Sequence, residues 1–506
     1  MPPQADLLKT GAKHLRALET VRALSAFRKA LNRAVKDGDR EREARARNFC
    51  SEAALILGRW AQAELDARTV LDLAGQPEDV TARAHFLLGE VMASRGDPEA
   101  AFASLQRALN LAPAKGVLRG QILCRLAALA GRTGSADEAQ SLVDETMAGL
   151  KPKTPEEREL LAGLIIQSGL CHLRRSQLQA AEESFEKAIA ALKGESSLEE
   201  ANAQRYLGVV NSLRGRHRTA LLYHLAAYDL FQKAGCRYGL ARTYESIGRT
   251  YLVFNRLEES LFCLKRSAGM CEKLGAEAEL ATIYGKLGHV HFVREEYEKA
   301  ASYFRRDLKT STRFKNDYAL GFALRNLGRC EAALGLMASA VQHLEASLKL
   351  FEKVRDALNL GRVQMDLCQA YTRYGKLEEA QEACERARSL MAQLGMDREV
   401  AFLNLLMGQV ARKSGREREA EKLLKQSVEQ LTDMPSPAWL AEAYYELGEL
   451  YRFARPQAAL EAYQHAFRTV RRAGLAREEG RYLAALERFD PHALFATLMD
   501  NVSDVR

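Results

Sequence analysis

A small residue returns at intervals close to 40 from one end of this chain to the other. It is Gly11, Ser51, Gly89, Ala127, Gly169, Gly208, Gly248, Gly288, Gly328, Cys368, Gly408 or Gly448, at spacings of 40, 38, 38, 42 and 39 and then 40 six times. Twelve positions after each comes an alanine, as in Ala23, Ala300 and Ala420; Ser260 is the exception in kind, and Ala459 arrives one residue early. A period of this length is the mark of stacked supersecondary units.

Each interval reads as two helices of unequal length joined by a short turn, as from Gly248 through Asn255 to Ser260. The small residue and the alanine fall where the two helices cross, and a larger side chain there would push the axes apart. Gly58, Gly96, Gly134, Gly215, Asn255, Gly335, Gly375 and Gly415 supply the left-handed residue that ends the first helix. Only 11 prolines and 7% aromatics in 506 residues leave little to interrupt helices or build strands, while 47% hydrophobic and 28% charged residues suit a folded chain.

These features resemble the tetratricopeptide repeat family over roughly residues 4–470. The unit from Ala82 to Pro113 matches closely, with Leu88-Gly89, Gly96, Ala101, Leu105, Ala108 and Pro113 at the family's positions. Ser51, Ala127 and Cys368 depart from its glycine. The surplus over the family's shorter repeat is placed mainly in the second helix. The 40-residue units, such as the one opening Asp317-Tyr-Ala-Leu-Gly, look like those of the G-protein-signalling modulators and of bacterial tetratricopeptide regulators. The resemblance implies an all-α fold: a right-handed α-solenoid of about twelve helical hairpins plus C-terminal capping helices. By regularity the chain divides into residues 1–150 (repeats one to four), 151–472 (repeats five to twelve) and 473–506 (capping helices). A longer loop is expected at Lys151-Pro-Lys-Thr-Pro155, and a short amphipathic helix around Leu494, Phe495, Leu498 and Met499.

In the family, the first helices of successive repeats line the inner surface. Positions sharing that face in repeats six to ten are Arg205, Arg242, Glu245, Arg249, His289, Arg325, Arg329, Arg362, Gln369 and Thr372, flanked by Lys286, Asn326 and Arg373. Several guanidinium groups on one wall predict capture of an acidic or C-terminal-carboxylate peptide, since arginine grips carboxylates in a fork. In the last repeat Glu442, Tyr445 and Glu449 turn the face acidic.

Other chemistries find little support. His289 and His291 lie two apart, so a helix points them to different faces and metal binding is not expected. No phosphate-binding loop, dinucleotide fingerprint or nucleophile elbow occurs, and no cofactor is implied. The stretch Arg40 to Arg47 alternates with glutamates, and the net charge of +8 is spread along the chain, so nucleic acid is a poor partner. Nine scattered cysteines without Cys-x-x-Cys spacing read as reduced, buried thiols. No secretory signal or membrane span is visible. The expectation is therefore a cytoplasmic, non-catalytic interaction scaffold or signalling adaptor; the alternative is a ligand-gated regulator that controls an effector by changing curvature.

Overall fold

One turn geometry builds most of this protein. Helices end on a single left-handed residue, and the next backbone N–H reaches five residues back to an otherwise unpaired carbonyl. Asn255 has φ 59°, and Arg256 N donates to Tyr251 O at 2.9 Å. The same bond runs from Arg59 to Ala54, Arg216 to Asn211, Cys236 to Phe231 and Ala276 to Cys271. It satisfies the orphan carbonyls of one helix and turns the chain straight into the next.

The computed structural model describes residues 4–132, 136–314 and 316–490. Its helices pair as hairpins. They run α1 (Gln4–Arg16) with α2 (Thr20–Asp37), α3 (Arg40–Ile56) with α4 (Trp60–Asp72), α5 (Glu78–Arg95) with α6 (Pro98–Leu111), and α7 (Val117–Arg132) with α8 (Ala136–Ala148). Then come α9 (Pro155–Arg174) with α10 (Leu178–Ala191), α11 (Leu198–Leu213) with α12 (His217–Ala234), α13 (Arg237–Val253) with α14 (Leu257–Leu274), and α15 (Glu277–Val293) with α16 (Tyr297–Arg313). The rest are α17 (Asp317–Ala333) with α18 (Met337–Lys353), α19 (Ala357–Tyr374) with α20 (Leu377–Gln393), α21 (Asp397–Lys413) with α22 (Glu417–Thr432), α23 (Pro437–Tyr451) with α24 (Pro456–Arg472), and α25 (Ala476–Phe489), the last helix among the described residues. This is an all-α helical-repeat fold. Its helices are unequal in repeats one to five, as α9 and α10 with 20 and 14 residues, and nearly equal in the 40-residue repeats, where α13 and α14 have 17 and 18 and α15 and α16 have 17 each. There the longer period is shared between both helices. The loop at 149–154 is present, and Thr154 and Glu157 close it with a capping box.

Inside each hairpin the small residue meets the side chain sixteen positions later. A Cβ built on Gly288 would lie 2.6 Å from the Phe304 ring, and one on Gly328 would lie 2.8 Å from Leu344. Gly11 meets Phe27, Gly169 meets Phe185 and Gly408 meets Leu424 in the same way. Where the first position is larger, the second is smaller: Ser51 is followed by Ala67 and Ala127 by Val143, all buried. The alanine at plus twelve is fully buried, and where serine occurs a hydroxyl bridges the crossing, as Ser51 Oγ donates to Ala63 O at 2.8 Å and Ser260 Oγ to Gly248 O at 2.7 Å.

Repeat ten breaks the pattern covalently. Cys368 and Cys384 occupy the paired positions, their Cα atoms are 5.5 Å apart and their sulfurs are bonded. The reading of all nine cysteines as thiols is therefore corrected for these two; the other seven are free and buried. The close crossing at the small position brings the two side chains within reach.

The contacts divide the chain into two compact units, 1–316 and 317–506. In unit 1, repeats one to three fold back onto repeats six to eight. Trp60 stands edge-on to Tyr238 with centroids 5.7 Å apart, Leu18 clusters with Ala201, Phe231 and Ala234, and Gly58 and Gly96 abut Leu274 and Ala278. In unit 2, α25 covers the last hairpin: Tyr482, Ala485 and Leu486 are buried with Tyr463, Phe467 and Val470. This is the cap a repeat stack requires. The residues expected to form a further amphipathic helix, 494–499, lie outside the described residues, as does Gly134. The division at 150 and 472 remains a proposal about repeat regularity.

The crossing makes a direct prediction. Gly288→Val should lower stability by about 1–3 kcal/mol through overpacking on Phe304, with Phe304→Leu in the same chain restoring part of it. Urea titration of the three proteins reads this; a valine variant as stable as the parent would remove the steric account of the repeat.

Candidate functional site

The first helix of each repeat carries its polar residues towards the first helix of the next, so charges pair at separations near one repeat. In unit 1, Arg205 on α11 is 3% exposed, lies 4.0 Å over the Tyr206 ring and donates through Nη1 to Ser246 Oγ on α13 at 3.4 Å. Its Nε and Nη2 find no partner in hydrogen-bonding geometry. Arg242 on α13 donates to the Tyr206 hydroxyl at 3.0 Å. Burial opposes ionisation of that hydroxyl, yet Arg242 and Arg205 outweigh it and bring its pKa down to about 7. Lys286 on α15 reaches Glu245 at 2.6 Å. Against burial, Lys286, Arg249 and Arg205 hold the Glu245 carboxyl at about 2. Arg249 and His289 are half-buried on the same wall.

The N-terminal half of unit 1 supplies residues that the sequence reading passed over. Arg83 pairs with Glu52 at 2.9 Å, and Arg125 pairs with Glu90 at 3.1 Å and Glu199 at 3.8 Å. Burial first, then Glu199 and Glu52, push the Glu159 carboxyl up to about 7. The signal was available, because the position just after the small residue reads Glu52 and Glu90 before it reads Arg249, His289 and Arg329. This face of the first helices of unit 1 thus carries charges of both signs, and Arg205 on it keeps two nitrogens without a hydrogen-bond partner.

In unit 2, Arg325 and Arg329 converge on Asp366 at 2.5 and 3.6 Å. Arg362 makes no ion pair among the described residues, and burial with the nearby Arg325 lowers its pKa. Asn326 and Gln369 are half-buried beside them, Thr372 is buried, and Arg373 is exposed. The acidic end is already engaged: Glu442 takes Arg481 at 2.8 Å and Tyr482 at 2.9 Å from α25, and Glu449 takes the Tyr463 hydroxyl at 2.7 Å.

His291 and His224 have structural roles. His291 is 7% exposed, bonds Glu296 at 2.6 Å and stacks on Tyr303. His224 fills the plus-sixteen position of repeat six, where a Cβ on Gly208 would touch it, and is fully buried against Thr250. Among the described residues no cluster of three metal-ligating side chains occurs, and no helix is long and apolar enough to cross a membrane.

Models of the tetratricopeptide repeat match residues 82–115 and 279–353. Both stretches coincide with hairpins that carry the small-residue crossing. The chain carries tetratricopeptide repeats. A curated tetratricopeptide relative, kinesin light chain-related protein 1 of Arabidopsis thaliana, is 21% identical to it over 287 residues, covering 54% of this chain and 45% of that protein. The chain thus spans less than half of that relative's length. Among solved structures, the apo form of RapI superposes with a TM-score of 0.52 at 13% identity, covering 70% of this tetratricopeptide chain and 98% of RapI. The Cut9–Hcn1 structure covers 97% of each chain at 14% identity with a TM-score of 0.47. The RapI likeness concerns the fold alone.

His224 gives the site a pH signature. Burial above all, then Arg205 and Arg249, lower its pKa from near 6.5 to about 3. The unfolded chain therefore binds a proton that the folded chain refuses between those values, and stability falls as pH drops below 6.5. At pH 5 the loss is about 2 kcal/mol. His224→Leu should be free of it, so the stability of the variant relative to the parent should rise by about 2 kcal/mol from pH 7 to pH 5. A constant gap in urea melts would contradict a neutral, buried ring.

Proposed function

We propose that this protein is a non-catalytic interaction scaffold that holds an acidic peptide, or a peptide's terminal carboxylate, against the inner faces of its first helices. The observation that carries the reading is Arg205, a nearly buried guanidinium with two unpartnered nitrogens. A buried cation without its full set of bonds is costly, and an incoming carboxylate would supply them. Arg249 in unit 1, and Arg362 and Arg373 in unit 2, likewise make no ion pair among the described residues, although Arg249 feels Glu245. The peptide-binding set is Arg205, Arg242, Glu245, Arg249, Lys286 and His289 in unit 1. In unit 2 it is Arg325, Asn326, Arg329, Arg362, Gln369 and Arg373. Where carboxylates already occupy the arginines, as Asp366 does, the ligand competes with an internal partner, which favours specificity over raw affinity.

A second reading, a ligand-gated regulator, is favoured by one observation. Repeats one to three of unit 1 pack on repeats six to eight, next to the Arg205 cluster, so ligand entry and that packing would be coupled.

Arg249→Glu and Arg329→Glu, singly and together, should abolish capture of an acidic partner while leaving the thermal midpoint within a few degrees, since both side chains reach solvent. Affinity purification with mass spectrometry reads the partner set. Identical sets from parent and double variant would remove the inner-face assignment.

A further inference from the structure

Apart from the residues of the proposed peptide-binding set, unit 1 carries a cleft of about 670 Å³ on the seam where repeats one to three meet repeat seven. Its walls bring four cations from separate elements: Arg28 of α2, Arg59 at the α3–α4 link, Arg95 at the end of α5 and Lys273 at the end of α14. No carboxylate is among its described lining residues. Glu64 stands outside the cleft and is shared between Arg95 and Arg68. Arg28 feels the buried Asp66, which Arg47 also approaches at 3.4 Å. Arg59 and Lys273 make no ion pair among the described residues, and both are exposed.

The two walls are held at a set distance by apolar packing. Leu274 lies against Gly58 so closely that a Cβ there would stand 2.4 Å from it, and Trp60 meets Tyr238 edge-on. Like charges are therefore pinned across a seam that cannot widen without breaking those contacts, and their repulsion works against it. A single carboxylate could neutralise one wall only. A chain of phosphates has the charge and the reach to serve both, guanidinium groups match its oxygens, and the volume is that of a small-ligand site.

We propose that this cleft binds a compact polyphosphate group, which on binding bolts repeats one to three to repeat seven. The site shares no residue with the peptide-binding set and stands independently of that assignment. Polyphosphate could arrive on a free small molecule or, as clustered phosphates, on a phosphorylated protein segment.

The test uses the full chain with inorganic tripolyphosphate, ATP and a doubly phosphorylated peptide, each against chloride at matched ionic strength. Tripolyphosphate should raise the melting temperature and slow amide exchange on both walls, around residues 58–62 and 273–276. In Arg59→Ala with Lys273→Ala, its affinity should fall about tenfold or more, as expected for losing two charge-assisted contacts. Both substitutions are at exposed positions, and the unliganded melting temperature reports whether the variant folds as the parent does. ATP matching tripolyphosphate would assign the site to a small molecule; tight binding of the phosphopeptide with weak ATP would assign it to a modified protein segment. Binding no better than chloride, equal affinity in the double variant, or protection confined to one wall would overturn the proposal.

Discussion

The whole architecture rests on a contact between an absent side chain and a present one. At most hairpin crossings a glycine's missing Cβ makes room for a phenylalanine, leucine, histidine or tyrosine fifteen or sixteen residues on, and the backbones close to the distance this allows. Packing of that kind is directional as well as apolar, because only one crossing angle lets the larger side chain enter. It also sets what the inner faces can be. Once the crossing fixes the rotation of the first helix, the residues three before and one after it point away from the second helix and towards the neighbouring repeats.

That rotation explains how much could be read without coordinates. The period, the helical hairpins, the left-handed links and the helix ending at Phe489 all follow from local spacing and turn chemistry, and the structure has them. What escaped depends on relations between repeats. Arg325 and Arg329 sit where expected, but nothing in their own repeat announces that Asp366 of the next will hold both. Glu52 and Glu90 were legible in the same register, but they lie outside repeats six to ten, where the cationic positions were sought. The disulfide had a signal as well: Cys368 and Cys384 hold the two positions that every other hairpin brings into contact, and sixteen-residue spacing marks a crossing as surely as Cys-x-x-Cys marks a loop.

The inner faces also temper a simple picture of a basic groove. Counting arginines by position gave a cationic wall, whereas the folded unit 1 returns nearly as many carboxylates, and Tyr206 between Arg205 and Arg242 is drawn towards its ionised form. A wall of paired charges rejects generic anions, since each must displace an internal partner, and accepts those that restore every bond they break. Arg205 stands out as a cation that is both nearly buried and short of partners.

The return of repeats one to three onto repeats six to eight changes how unit 1 should fold. In an open array each repeat touches its neighbours alone, so helices can form or fray one pair at a time and the stack behaves as a one-dimensional chain. Contacts such as Trp60 with Tyr238 join segments 178 residues apart in sequence. They reward the array only after the intervening hairpins are in place, which raises contact order, slows the last step of assembly and converts a string of semi-independent repeats into one cooperative body. Unit 1 should therefore melt as a block, with its ends protected as well as its middle.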